Sequence, residues 1–507
     1  MTDHTAATAI AAGGTAPATG AQIFGHPRGL ATLFLTEMWE RFTYYGMRAI
    51  LVLFLVGAIE GGGLGLDDRT ASAIYGLYIS GTYLLSLYGG WIADRLIGAQ
   101  RAVWWGGILI MVGNALLCMG STQLFFLGIV SIVFGVGLLK PNISAIVAQL
   151  YPEGGSRRDA GFSIFYMGIN LGALIGSTMV PWLAQEYGWR AGFAAPAVGM
   201  LLGLIFFQFM KGYLGGAGVE PGHSHTSAAS NRRAWTAVIA VTGVIVVACV
   251  AAILGYLHVD PVALLRGSFW LMLAFTVGYF SYLLFFAGLD LTERKRVLVM
   301  IALFAACATF WAGFEQTGAS LTLFAERYTD RTFFGWEMPA GMFQNINPTF
   351  VIVFSPIFAA LWVTLGRRNM DFSAPAKFAF GLILMGVGFV VMYFASLYVV
   401  QGHQVGPTWL ILTYMFHTWG EICLSPVGLS SMSKLAPQRF VGQALGVWFL
   451  ATAIGNNMAG QISGEFDPNN LAGMPGNFLS IVWLGFIAGG IMLAITPFAK
   501  RLMGGVK

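Results

Sequence analysis

The sequence predicts an all-α polytopic membrane protein of about fourteen transmembrane helices, and three observations predict it. Charged residues are 10% of the 507-residue chain and apolar residues 57%, whereas a soluble domain carries about 25% charge. So little charge cannot hydrate the surface of a chain this long. Apolar runs of the length that crosses a bilayer, about 20 residues, recur from end to end. Basic residues concentrate in every second loop between these runs. The many glycines and aromatics fit the same class, since glycine lets membrane helices approach closely and aromatics settle at the interfaces.

The apolar runs of the first half are Leu30–Ile59, Ala71–Ile92, Ala102–Gly120, Leu124–Leu150, Gly161–Leu183 and Ala191–Met210. Ala234–Leu257 and Phe269–Leu289 follow. Val297–Phe324, Phe343–Leu365, Phe378–Val400, Trp409–Leu435, Ala444–Ile462 and Phe478–Ala499 complete the series. Arg95 and Arg101 follow the second run, Arg157 and Arg158 the fourth, Arg294 to Arg296 the eighth, and Arg367 and Arg368 the tenth. Lys434 and Arg439 follow the twelfth, and Lys500, Arg501 and Lys507 close the chain. Basic loops face the cytoplasm, so both termini are expected there, in a multi-pass protein of the cell (inner) membrane. The net charge of +5 is explained by these loops, and no nucleic-acid partner is expected.

Residues 1–27 read as a flexible cytoplasmic tail with no basic-then-apolar leader. Residues 28–213 form a first six-helix bundle. Residues 214–291 form a linker, polar from Gly212 to Asn231, and an inserted helix pair. Residues 292–503 form a second six-helix bundle, and 504–507 a short tail. Two six-helix bundles around a central site are the layout of the major facilitator fold, although the halves show no clear sequence repeat. The four cysteines, Cys118, Cys249, Cys307 and Cys423, each sit inside an apolar run and read as packing residues. No metal or other cofactor is expected, and no phosphate-binding GxxxxGK[ST] loop is present to supply energy.

Between the second and third runs the chain reads GGWIADRLIGAQR, Gly89 to Arg101. This resembles the major facilitator loop signature, in which Asp94 and Arg95 would gate the inner face.

Ionisable groups inside apolar runs carry the chemistry. Each costs roughly 2.5–3.5 kcal/mol or more on insertion scales and requires a partner or a watery cavity. The first run reads TEMWERFTYYGMRAILVLFL. Its Glu37, Glu40, Arg41, Tyr44, Tyr45 and Arg48 share one stripe at about 100° per residue, the signature of a cavity-lining helix. Lys140 closes a later run, Glu315 lies in FWAGFEQTG, and Glu421 follows His417 by one turn in FHTWGEICLSP. Asn170, Asn347, Trp311 and Trp448 are the other polar or aromatic candidates, and Pro348 and Pro426 are expected to loosen their helices.

The first half thus supplies Arg41, Arg48 and Lys140, and the second supplies Glu315 and Glu421 with Asn347 nearby. A cavity between them would be polarised. It would suit a zwitterion, carboxylate toward the first half and ammonium toward the second. That placement indicates an amino-acid-like or peptide-like solute without fixing its length. Buried carboxylates beside cations are natural proton carriers, because burial and the cation favour opposite protonation states. A membrane enzyme lacks any nucleophile-and-base or metal cluster here, and a sensor lacks an output domain.

These residues resemble the proton-dependent oligopeptide transporter family. ExxERFxYYG matches Glu37 to Gly46, GLLKPNIS matches Gly137 to Ser144, FSIFYMGINLG matches Phe162 to Gly172, and the Glu421 segment continues into SPVG at Ser425 to Gly428. The resemblance runs over essentially the whole chain, inserted pair included. It implies a proton-coupled importer of di- and tripeptides in the lipid bilayer, with the proton as coupling ion; a monomer is expected because one chain makes one complete cavity. It implies proton coupling at Glu37, Glu40, Arg41, Lys140 and Glu315, the last paired with Arg48. It implies that Arg48 and Lys140 hold the peptide carboxylate and that Asn170, Asn347 and Glu421 hold the amino end. Tyr44, Tyr45, Tyr83, Trp311 and Trp448 would line side-chain pockets. The second helix lacks the histidine of animal members, and His417 stands where an apolar residue is expected. His417 is either a packed, neutral, hydrogen-bonded group or a group that tunes Glu421. The alternative function is a symporter of the same fold for another small solute, an anion or an amino acid.

Overall fold

The computed structural model describes residues 22–23, 25–152, 155–221, 228–368 and 372–504. Its first half contains α1 (Arg28–Val56), α2 (Asp68–Ile92), α3 (Ala99–Leu117), α4 (Thr122–Gln149), α5 (Gly155–Tyr187) and α6 (Trp189–Met210). The inserted pair is α7 (Ala228–Ile253) and α8 (Pro261–Ser281). The second half contains α9 (Leu291–Phe314), α10 (Ser320–Tyr328), α11 (Ile346–Arg367), α12 (Ala374–Val400), α13 (Thr408–Leu435), α14 (Val441–Ser463) and α15 (Met474–Leu502). Helices α9 and α10 are one span interrupted by a 3-10 turn, so the described residues make fourteen crossings. With an even number of crossings, the start of α1 and the end of α15 share one face, here the terminal face. The other is the opposite face.

Nine stretches among the described residues are long and apolar enough to cross a membrane on composition alone. Helix α1 is not among them, because Glu37, Glu40, Arg41 and Arg48 interrupt it. It is held instead by packing on α5 and α6, which the apolar side of its stripe permits.

Each half has its own core. One gathers Leu33, Met47, Ile79, Val136 and Phe193; the other gathers Phe310, Phe378, Phe389, Leu424 and Phe478. The halves also repeat a packing plan. In the first, α1 packs on α5 and α6, α3 on α4 and α6, and α2 on α4. In the second, α9 packs on α14 and α15, α12 on α13 and α15, and α11 on α13. Across the middle, α2 packs on α14 and α5 on α11. Second helix meets fifth helix both ways, as a twofold relation between the halves requires. This repeat is absent from the residue types because packing needs only complementary shapes, not matching sequences.

The opposite face is sealed by contacts between halves. Arg327 donates two hydrogen bonds to Asp68 at 2.5 and 2.8 Å. Asn345 donates to Thr178 at 3.0 Å, and Gln185 to the Glu337 carbonyl at 2.9 Å. Gly76 and Gly460 bring α2 and α14 together, and a Cβ on Gly76 would stand 2.9 Å from the Gly460 Cα. The loop there is a small hairpin, Thr332–Phe333 with Trp336–Glu337, pinned by Arg331 to Glu326 at 3.2 Å and Glu337 at 2.9 Å.

Four sequence expectations change. The ninth run is not one continuous helix. Pro348 lies in the first turn of α11, where its missing N–H costs nothing, so Pro356 and Pro426 are the interior prolines of their helices. Part of the expected tail is ordered, since Gln22–Ile23 pairs with His26–Pro27 and His26 Nδ1 lies 2.8 Å from the Tyr151 hydroxyl. Residues 1–21 and 505–507, and the linker residues 222–227, lie outside the described residues. The rest of the expected linker is packed. Gly218 accepts from Gln100 N–H at 2.8 Å and donates to Gln149 at 2.7 Å, and Ala228 already begins α7.

Candidate functional site: a charged seam between the bundles

Helix α1 places its stripe against the second half. Arg41 Nε lies 3.2 Å from Glu37 Oε1 and also contacts the Glu40 carboxylate. All three side chains are buried, and the Arg41 guanidinium sits 4.9 Å over the Tyr44 ring. Two turns on, Arg48 pairs with Glu315 at 2.9 Å, joining the two halves. The Tyr75 hydroxyl, from α2, donates to the same Glu315 oxygen at 3.5 Å.

Glu315 reaches this pair because the helix breaks there. Residues Glu315–Gly318 form the 3-10 turn, and Ala319 leaves helical geometry at φ −129°, ψ −94°. Gln316 fastens the break: its amide donates to Ala312 and Ala459 carbonyls at 3.1 and 3.2 Å. Its oxygen accepts from Ser320 and Ser463 at 2.6 Å each. Gly318 lies against the Tyr75 hydroxyl so closely that any side chain would overlap it.

Lys140 stands one residue before Pro141 in α4 and is half-buried. Among the described residues it has no carboxylate within ion-pair distance; its ammonium sits 3.5 Å from the Tyr83 ring centroid. In the second half, Asn347 of α11 donates to Glu421 at 2.9 Å and to Thr418 at 3.0 Å. The expected residues therefore gather into three polar groups: Glu37–Glu40–Arg41, Arg48–Glu315–Tyr75 and Asn347–Glu421–Thr418. Lys140 with Tyr83 forms a fourth, cationic spot. Glu37 Oε2, Glu40 Oε1, Arg41 Nη2 and Arg48 Nε are buried without a protein hydrogen-bond partner. Such atoms cluster where a site is built to bind or exchange something polar.

Other expected residues sit as follows. Tyr44 and Tyr45 meet edge to face at 5.2 Å, and Arg48 lies 5.8 Å over Tyr45. Asn170 is buried in α5 and donates to the Tyr166 carbonyl one turn back, at 2.9 Å. Trp311 is half-buried against Phe310 and Phe314, and Trp448 is buried edge-on to Phe378 at 6.0 Å. Asp94 and Arg95 occupy a π-helical turn, Ala93–Ile97, at the terminal face, where Arg95 donates to Ser230 of α7 at 2.6 Å. His417 is fully buried, 4.7 Å from Phe389, and the polar group within reach of its ring is the Met385 backbone. Glu421 bonds Asn347 rather than His417. Tyr75, Gln316 and Thr418 did not stand out in the sequence. For Tyr75 a signal existed: Tyr75 and Tyr78 are spaced to share one face of α2, and both are fully buried.

Two helical bundles closing on one charged seam define a membrane transporter of the major facilitator fold. A sequence profile described as the POT family matches residues 100–473. Peptide transporter YePEPT of Yersinia enterocolitica is 40% identical over 499 residues, 96% of each chain. A di-/tripeptide transporter of Lactococcus lactis is 36% identical over 498 residues, 96% of this chain and 98% of that one. The crystal structure of peptide transporter POT in complex with sulfate superposes with a TM-score of 0.89 at 40% identity, covering 96% of this chain and 97% of that one. The chain belongs to the POT family.

Proposed function

We propose that this protein is a proton-coupled symporter that imports di- and tripeptides by alternating access. The observation that carries the reading is the polarity of the seam. Arg48 and Lys140 come from one half, and Glu315 and Glu421, with Asn347, come from the other. A peptide carboxylate would go to Lys140 and Arg48, its ammonium to Glu421, Asn347 and Asn170. Tyr44, Tyr45, Tyr83, Trp311 and Trp448 would contact its side chains. Relatives named as peptide transporters support the same reading.

The proton is the coupling ion and no cofactor is needed. Arg41 holds two carboxylates, Glu37 and Glu40, and Arg48 holds Glu315. A proton delivered to Glu315 from the opposite face removes the charge that Arg48 holds, and the halves are then no longer joined there. The freed Arg48 is open to a peptide carboxylate, since an unpaired buried charge is costly. Each proton carried inward yields roughly 2.3 kcal/mol per 100 mV. The terminal face is cytoplasmic, the membrane is the inner one, and a monomer suffices because one chain encloses one complete seam.

The test is uptake of labelled dialanine into proteoliposomes, with and without an inward proton gradient, for wild type and Glu37→Gln. Uptake should rise as the external medium is made more acidic. The variant should lose gradient-driven accumulation while keeping counterflow exchange. No dialanine uptake by folded protein would sink the peptide assignment; uptake of an anion or a free amino acid instead would favour a symporter for another solute.

A further inference from the structure

Outside the seam, a second polar cavity of about 350 Å³ opens at the opposite face, where inserted helix α8 leans on α2 and α14. Arg69 of α2 and Arg266 of α8 line it, together with Gln461 and Glu465 at the end of α14. Among the described residues neither arginine has an ion-pair partner, while Arg327 and Arg331 of the same face are paired, with Asp68 and with Glu326 and Glu337. The aliphatic stem of Arg69 lies across Gly464, where a Cβ would come within 3.3 Å of it. Leu265 forms the floor: it is buried and reaches the Gly76–Gly460 contact, which walls the cavity off from the charged seam. The floor continues as a polar chain, Gln461 to Asn457 at 2.8 Å and Asn457 to Ser268 at 2.9 Å.

Arg266 is the sixth residue of α8, about 7 Å along the helix from its start, a depth that belongs to the headgroup layer. Below it on the same side, α8 exposes Trp270 and Val277, at 65% and 58%. Two unpaired guanidiniums thus stand above an apolar strip, beside one carboxylate.

We propose that this cavity binds the headgroup of a phospholipid, with Arg69 and Arg266 on the phosphate and the acyl chains along α8. Guanidinium is the side chain best matched to phosphate, which it binds through paired donors. Basic pockets between membrane helices take lipid headgroups in this way. Glu465 gives the site a preference for a headgroup carrying an amine, phosphatidylethanolamine above phosphatidylglycerol. The lipid would then staple α8 to the α2–α14 seam. The proposal rests on the fold and not on the transported solute.

The test is native mass spectrometry and thermal melting of the full-length protein in detergent, titrated with phosphatidylethanolamine, phosphatidylglycerol or inorganic phosphate. Wild type should retain phosphatidylethanolamine and melt higher with it. Arg69→Ala/Arg266→Ala should bind it at least about tenfold more weakly, the loss expected for charged hydrogen bonds to phosphate. Glu465→Gln should narrow the preference between the two lipids. Both arginines are exposed and unpaired, so the double variant should melt like wild type without lipid. If that variant is destabilised, Arg69→Lys/Arg266→Lys, which keeps the charge but not the fork, should still weaken retention. Equal retention by wild type and both variants overturns the proposal. Stabilisation by inorganic phosphate as large as that by lipid would instead mean a soluble phosphate site.

Discussion

Lys140 and Arg41 are both cations of the seam, yet their surroundings differ. Arg41 is bonded to Glu37 and Glu40, so removing it strands two buried carboxylates, while Lys140 lies over the Tyr83 ring and has no carboxylate partner among the described residues. Lys140→Gln should therefore lower affinity for dialanine about tenfold with little change in melting temperature, whereas Arg41→Gln should destabilise the fold by about 3 kcal/mol. Competition binding and thermal melting on the same samples separate the two effects. His417 gives a contrasting case. Its ring is fully buried against Phe314 and Phe389 and pairs with no carboxylate among the described residues, so an apolar group of similar size costs little there. His417→Leu should melt near the wild-type temperature and keep the wild-type dependence of uptake on external pH. A flattened pH profile would make His417 a proton site instead. The ionisable residues themselves were legible in the sequence because charge inside an apolar run is conspicuous. Their partners were not, because Asn347 and Glu421 are 74 residues apart and only packing decides that they meet.

At the scale of the element, the α9–α10 break decides where Glu315 points. Its apolar run reads as continuous, since no proline marks the interruption. What stops the helix is tertiary: Gln316 is drawn onto α14, and Gly318 lets Tyr75 of α2 approach. Gly318→Ala should push the Tyr75 hydroxyl away from Glu315 and cost about 1–3 kcal/mol from overpacking. Gly278→Ala in α8, where an added Cβ meets nothing, is the control and should melt like wild type. Gradient-driven uptake should fall only in the first variant. Helix α1 shows the opposite relation, for its stripe was readable from spacing alone and the structure keeps all six residues on one helix.

At the scale of the whole molecule, the contacts between halves gather at the opposite face, led by Asp68–Arg327 and Arg48–Glu315. These hold the protein closed on that face. The Asp68–Arg327 pair is partly exposed, with the arginine side chain 29% accessible, so it contributes about 1 kcal/mol. Asp68→Asn should shift the conformational equilibrium about fivefold toward opening of the opposite face. Spin labels on the outer ends of α2 and α10 should report a longer distance in the variant. An unchanged distance distribution would mean that the seal lies deeper, at Arg48–Glu315.

The sequence by itself determined the class of this protein: apolar run length sets the number of crossings, loop charge predicts their direction, and stranded charges mark the seam. These are properties of single segments measured against a bilayer, and one chain carries them all. Only the tertiary structure decided the packing plan shared by the halves, the break at Glu315, the choice of Asn347 over His417 as partner of Glu421, and the cavity beneath α8. Each of those depends on which surfaces meet, and a membrane helix meets its neighbours through small residues and shape, which leave no periodic mark in the chain.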